Sequence, residues 1–125
     1  MNLKDFSGVE YINLITYKND KTPITTPVWV ADFSNSLVVT TSLNAGKVKR
    51  VRNNGKATIY VTNQSGSKKL SESLNLEASL IEDVDLKKQA ADLIRKKYGM
   101  MAKIIMKGPD ENRAIIRLEK KGGEK

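Results

Sequence analysis

The sequence contains no cysteine and no histidine. Without thiols there are no disulfides and no thiolate metal sites. Without imidazole there is no Ser-His-Asp triad, no Cys-His pair and no histidine metal ligand. Carboxylates could still hold a hard cation, but no Asp/Glu cluster has the spacing of such a site, so no metal is expected. Aromatic residues are scarce, at 6%, and none is interleaved with the basic segments as base stacking requires. No recognition-helix or RNA-binding signature is present, so no nucleic-acid partner is expected. No apolar run approaches a membrane span, and the opening MNLKDFSGVEY is too polar for a signal peptide. The expectation is a cytoplasmic protein without a membrane partner. An enzyme built from what remains would rely on a bound cofactor for its reaction.

What is present fits one domain. The 125 residues, 39% hydrophobic and 29% charged, suffice for a single core. Residues 1–125 therefore read as one domain without repeat or linker. Net charge is +8, which attracts polyanions or phosphorylated small molecules, or serves solubility alone.

The β signal dominates. Val9 to Tyr17 is β-rich, and KNDKT after it reads as a turn. Pro23 to Phe33 reads as a second strand pairing back as a hairpin. Pro27 within it lacks a ladder donor, so that point must be an edge, a bulge or a ligand contact. SNS turns the chain into a third strand, Leu37 to Ser42. Lys56 to Thr62 reads as a fourth strand, Leu70 to Ile81 as a fifth and Arg113 to Glu119 as a sixth. A helix is expected from Asp83 or Asp85 to about Tyr98, with Leu86, Ala90, Leu93 and Ile94 on one side and Gly99 as its stop. MMAKIIMKG is ambiguous between helix and irregular chain, and KKGGEK reads as a loose tail. The sum is a mainly β fold: a six-stranded antiparallel barrel with two helices, closed so that few edges are exposed.

Between the third and fourth strands the chain changes character. In TTSLNAGKVKRVRNNG, Ala45, Val48 and Val51 recur every third residue, and four Lys and Arg occupy other positions. This is a short amphipathic helix over Asn44 to Asn54, with Asn44 as N-cap and Asn54-Gly55 as stop. A helix N-terminus carries about half a positive charge, so a lysine in its first turn is mildly unfavourable. An anion placed there reverses the sign, because free amides and the lysine then face the same phosphate. Thr40, Thr41 and Ser42 offer hydroxyls at the preceding strand end, and Gly46 permits close approach to the backbone. Lys47 with these hydroxyls reads as a phosphate site without P-loop spacing. Lys49, Arg50 and Arg52, taken alone, read as a solvated basic face. Trp29 reads as core or interface, and Met100, Met101 and Met106 as core filler or dimer contact. The cationic end of the second helix, RKKY, reads as dipole complementation.

The segment TPITTPVWVADFSNSLVVTTSLNAGKVKRVRNN resembles the core of the pyridoxamine 5′-phosphate oxidase-like superfamily, whose fold is the FMN-binding split β-barrel. It is most similar to the branch of deazaflavin (coenzyme F-420)-dependent enzymes, through a TPVW strand, a strand ending in Thr or Ser, and a GKVKR helix start. The resemblance spans about Thr16 to Ile81. It implies that Thr25, Thr26, Pro27 and Val28 run along the cofactor ring, and that Thr40, Thr41 and Ser42 contact the ribityl chain and phosphate. Lys47 would bind the phosphate, assisted by Lys49 or Arg50, with Gly46 beside it. It further implies a homodimer with the cofactor at the subunit interface, where Ser71 to Asn75 of the partner subunit could reach the ring. FMN oxidases of this kind often carry an arginine before the lysine and another on the second strand. Here Gly46 and Thr25 or Thr26 stand there, which favours the deazaflavin over FMN.

Two functions follow. One is an oxidoreductase that passes hydride between the cofactor ring and a small substrate; the other is a non-catalytic flavin or deazaflavin carrier. No catalytic residue is singled out: Tyr11, Tyr17 and Tyr60 are the available proton donors, with nothing to choose among them.

Overall fold

In the computed structural model, which describes residues 2–121, seven strands form one antiparallel sheet. They are β1 (Tyr11–Tyr17), β2 (Pro23–Val28), β3 (Ala31–Phe33), β4 (Ser36–Ser42), β5 (Lys56–Thr62), β6 (Leu74–Leu80) and β7 (Arg113–Glu119). Their order across the sheet is β2-β1-β5-β6-β7-β4-β3. The sheet curls into a half-barrel whose two edges, β2 and β3, are consecutive in sequence. Three α-helices accompany it: α1 (Gly46–Asn54), α2 (Val84–Tyr98) and α3 (Met100–Ile105). Among the described residues, no helix is long and apolar enough to cross a membrane.

The expected six strands are thus seven. Pro23 to Phe33 is two strands with a corner at Trp29 and Val30. Up to Val28 the chain pairs with β1, matching Pro27 to Asn13; from Ala31 it pairs with β4. A change of partner needs no glycine, so it leaves no compositional trace. β3 and β4 join through Ser34 and Asn35, both at positive φ (45° and 63°), as a tight two-residue hairpin requires. β6 begins at Leu74, not Leu70. The four residues before it serve the turn, where the Ser71 hydroxyl accepts from the Val61 amide at 2.8 Å. Of the loose tail expected over 120–125, residues 122–125 lie outside the described residues.

Two apolar clusters hold the fold. Phe6, Leu14, Leu37, Val39, Val51, Ile59, Leu76, Ile116 and Leu118 fill the barrel beneath α1. Phe33, Val38, Ile81, Ala90, Ile94, Met106 and Ile115 pack beneath α2 and α3. Leu37, Val38 and Val39 are fully buried although they alternate faces, because β4 has a cluster on each side. The α2 core face is Ala90, Ala91 and Ile94. Leu86 and Leu93, expected beside them, are about 40% exposed. Asp83 caps α2 by accepting from the Leu86 amide at 2.9 Å. The ambiguous MMAKII is α3. Met106 belongs to the core, whereas Met100 and Met101 are exposed.

Candidate functional site: a cleft between the edge strand and the basic helix

Where the chain leaves β2, a cleft of about 320 Å³ opens between the sheet edge and the start of α1. β2 and the corner supply Pro27, Val28 and Trp29. β4 supplies Thr40 and Thr41, and α1 supplies Lys47. Tyr11, Gln64 and Ile105 complete the wall from β1, the β5–β6 loop and α3. The topology explains the gathering: the edge strand must cross toward β4 to start β3, and β4 delivers its hydroxyl end to α1. Pro27 stands on a sheet edge, one of the settings that a missing donor tolerates.

The cationic end has unusual electrostatics. No side chain caps α1: Ala45, not Asn44, occupies the N-cap position, so the first amides stay available to an anion. Lys47 is half-buried, and its pKa is lowered from 10.5 first by that burial and then by the charge of Arg50. The Arg50 guanidinium turns back toward the sheet, donating from Nε to the fully buried Thr16 Oγ1 at 2.6 Å. It also lies over Gly46, where a Cβ would stand 2.7 Å from its Nη1. The space left by that glycine is taken by a cation. Among the described residues, neither Lys47 nor Arg50 has a carboxylate within ion-pair distance. Thr40 Oγ1 is buried without a hydrogen-bond partner, and so is Thr26 Oγ1 on β2. Lys47 and the orphan Thr40 hydroxyl line the cleft beside the uncapped start of α1, and Arg50 adjoins Lys47. Such a set binds an anion, and its hydroxyl and amide donors suit phosphate oxygens.

Of the residues expected from sequence, Pro27, Val28, Thr40, Thr41 and Lys47 line this cleft. Gly46 and Arg50 adjoin Lys47. Thr25 is exposed on β2 and Thr26 is part-buried beside it; Ser42 and Lys49 are exposed at the strand end and on α1. Ser71 to Asn75 lie in the β5–β6 connection and the start of β6, and none of them lines the cleft. Sequence reasoning missed Tyr11, Trp29, Gln64 and Ile105 as cleft residues. They come from four separate segments, and no local spacing links them.

The wall at Trp29 is braced from behind. Its ring stacks on Tyr98 with centroids 4.2 Å apart and planes 6° from parallel. The Tyr98 hydroxyl accepts from the Val30 amide at 3.0 Å and donates to the Glu10 carbonyl at 2.5 Å. Burial pushes its pKa up to about 12. Lys97 Nζ donates to the carbonyls of Ser7, Val9 and Val30, at 3.1, 2.6 and 2.5 Å. The cationic end of α2 therefore does more than complement a dipole. Lys97 fastens the corner, and Arg95 pairs with Asp92 and Asp110.

No family model and no curated protein matches the chain by sequence. Solved structures do match. HutZ, the heme storage protein from Vibrio cholerae, aligns with a TM-score of 0.72 at 18% identity, over 98% of this chain and 93% of its own. A protein assigned as a pyridoxamine 5′-phosphate oxidase from Listeria innocua aligns at 0.63 and 17% identity, over 87% and 82%. An F-420 reductase aligns at 0.62 and 16% identity, over 95% and 93%. The chain thus has the split-barrel fold that these proteins share. Likeness at this level of identity establishes the fold alone.

Proposed function

We propose that the cleft binds a flavin-type nucleotide, the deazaflavin coenzyme F-420 or FMN, and that the protein is an oxidoreductase acting on a small molecule. One observation carries this reading: Lys47 and Arg50 crowd the uncapped start of α1, with no carboxylate of the described residues in ion-pair reach to offset them. Burial and like charge both make that arrangement costly, and a bound phosphate anion offsets that cost. Lys47 and the first amides of α1 hold the phosphate, with Arg50 beside them and Lys49 at the rim. Thr40, Thr41 and Ser42 serve the ribityl chain and phosphate. The backbone of Thr25 to Val28 runs along the ring, and Trp29 and Ile105 supply apolar surroundings. Bound there, the ring supplies the hydride chemistry. The chain's part is to hold it, orient it and keep water away.

Gly46 and the threonines at 25 and 26 leave the phosphate with fewer charge-assisted bonds than two further arginines would give. On this reading F-420 is favoured over FMN. A haem would lack its usual imidazole or thiolate ligand, since the chain has no histidine and no cysteine. Homodimerisation, with Ser71 to Asn75 of the partner subunit near the ring, belongs to the proposal. The exposed Met101, Ile104 and Ile105 beside the cleft support it. A carrier without chemistry is the second reading, favoured by the ionisable groups that line the cleft: Tyr11 and Lys47 alone among the described residues.

Titration of the purified protein with FMN and with F-420, alongside mass spectrometry of any co-purifying molecule, tests the reading. At least one cofactor should bind, and Lys47→Ala should weaken the better one by about tenfold or more. Binding by neither, or binding indifferent to Lys47, would end it. Reduction of the bound cofactor followed by trial acceptors separates enzyme from carrier.

A further inference from the structure

We propose that Gln64 reads the polar edge of the ring, the N3–H and O4 of its pyrimidine portion, and so selects the flavin class of ring. This rests on the cofactor reading above and adds to it a specificity-determining residue that sequence did not mark.

Gln64 brings the one side-chain amide among the described residues lining the cleft, and that amide has no hydrogen-bond partner among the described residues. It sits on a loop whose shape is fixed from two sides. Within the loop, Asn63 Oδ1 accepts from the Ser67 amide at 3.0 Å, and the Ser65 and Ser67 hydroxyls bond at 2.9 Å. From beneath, Asn13, fully buried on β1, donates from Nδ2 to the Gly66 carbonyl and to the Tyr60 hydroxyl, both at 3.0 Å. Gly66 has φ +77°, and a Cβ there would stand 2.9 Å from Asn13 Oδ1 and 3.2 Å from Pro27. The loop backbone therefore rests directly against the residue along which the ring is placed. Glycine is required both for the left-handed turn and for that close approach.

The amide chemistry fits the edge. The pyrimidine side of a flavin offers a carbonyl acceptor next to an N–H donor. A glutamine amide presents one donor and one acceptor in a plane, as it does when it reads adenine in nucleic acids. A lysine at this position would instead seek a second anion. FMN and the deazaflavin share the edge, so Gln64 selects the ring class and does not choose between the two.

The test compares FMN and coenzyme F-420, each with and without a methyl group on N3, in wild type and in Gln64→Leu. Affinity is read by cofactor fluorescence. Gln64 is exposed, so the variant should fold, and its melting curve checks this. In wild type, N3 methylation should weaken binding by about tenfold. Gln64→Leu should weaken the unmethylated cofactor by a similar factor and make methylation nearly free. If wild type binds in a Lys47-dependent way yet ignores the methyl group, or if methylation costs the same in both proteins, Gln64 does not read this edge, while the cofactor reading stands. If wild type binds none of the four compounds, both proposals fall.

Discussion

Replacing Lys47 with methionine should push the free and the liganded protein in opposite directions. Methionine keeps the length and apolar stem of the side chain and removes the charge. In the free protein, burial and the Arg50 guanidinium both oppose the Lys47 ammonium, lowering its pKa from 10.5. A lysine whose pKa is lower folded than unfolded costs stability at every pH where the folded chain must carry that charge, and the cost fades as pH rises through that pKa. Lys47→Met therefore melts at or above the wild-type temperature at neutral pH, and the difference shrinks as pH climbs toward 10.5. With a phosphate-bearing cofactor the sign reverses. A charged hydrogen bond contributes about 1.5–3 kcal/mol, so FMN affinity should fall roughly 10- to 150-fold. Riboflavin, which lacks the phosphate, should lose almost nothing. Thermal melts and fluorescence titrations at two or three pH values provide all these numbers. Equal losses for FMN and riboflavin would show that Lys47 supports the cleft's shape. A destabilised free variant would show that the cation pair is not under strain. Either result refutes the electrostatic reasoning.

Two further changes probe the frame around that site. Gly46→Ala puts a Cβ 2.7 Å from Arg50 Nη1, the free end of a flexible side chain. Arg50 should swing away, leaving stability within about 1 kcal/mol of wild type while FMN affinity drops severalfold; a large fall in melting temperature would mean that the backbone moves instead. Tyr98→Phe tests the brace behind Trp29. The Tyr98 phenol is raised from 10.0 to about 12 in the fold, so its stabilisation is complete below pH 10 and is lost as pH rises from 10 toward 12. Wild type should therefore lose stability over that interval more steeply than the phenylalanine variant, in chemical denaturation at stepped pH.

Much of the fold is legible in the sequence because β-rich apolar runs mark β1, β5 and β7, alternation marks β6, and helix stops such as Gly55 at φ 66° mark themselves. The missed features share one cause: tertiary partners decide them. β2 ends because its partner changes from β1 to β4, not because Trp29 or Val30 disfavours a strand. Asn44 has the chemistry of an N-cap, yet the chain enters α1 one residue later, and Ala45 takes the position without a capping bond. Leu86 and Leu93 fit a helical stripe, but the sheet beneath meets the Ala90–Ile94 side. The cationic half of the cleft could be read from Thr40 to Arg50 because those residues are contiguous. The apolar half and the Gln64 amide could not, because β1, the corner, the β5–β6 loop and α3 meet only in three dimensions.

The grip of Lys97 has a consequence for how this molecule opens. One ammonium group satisfies carbonyls from the amino-terminal turn and from the bend beneath Trp29. Three stretches of chain far apart in sequence are thus buttoned together at one point. Local fraying that released it would free the aromatic wall and the first residues in a single event, and their backbone amides would then exchange hydrogen at a common rate.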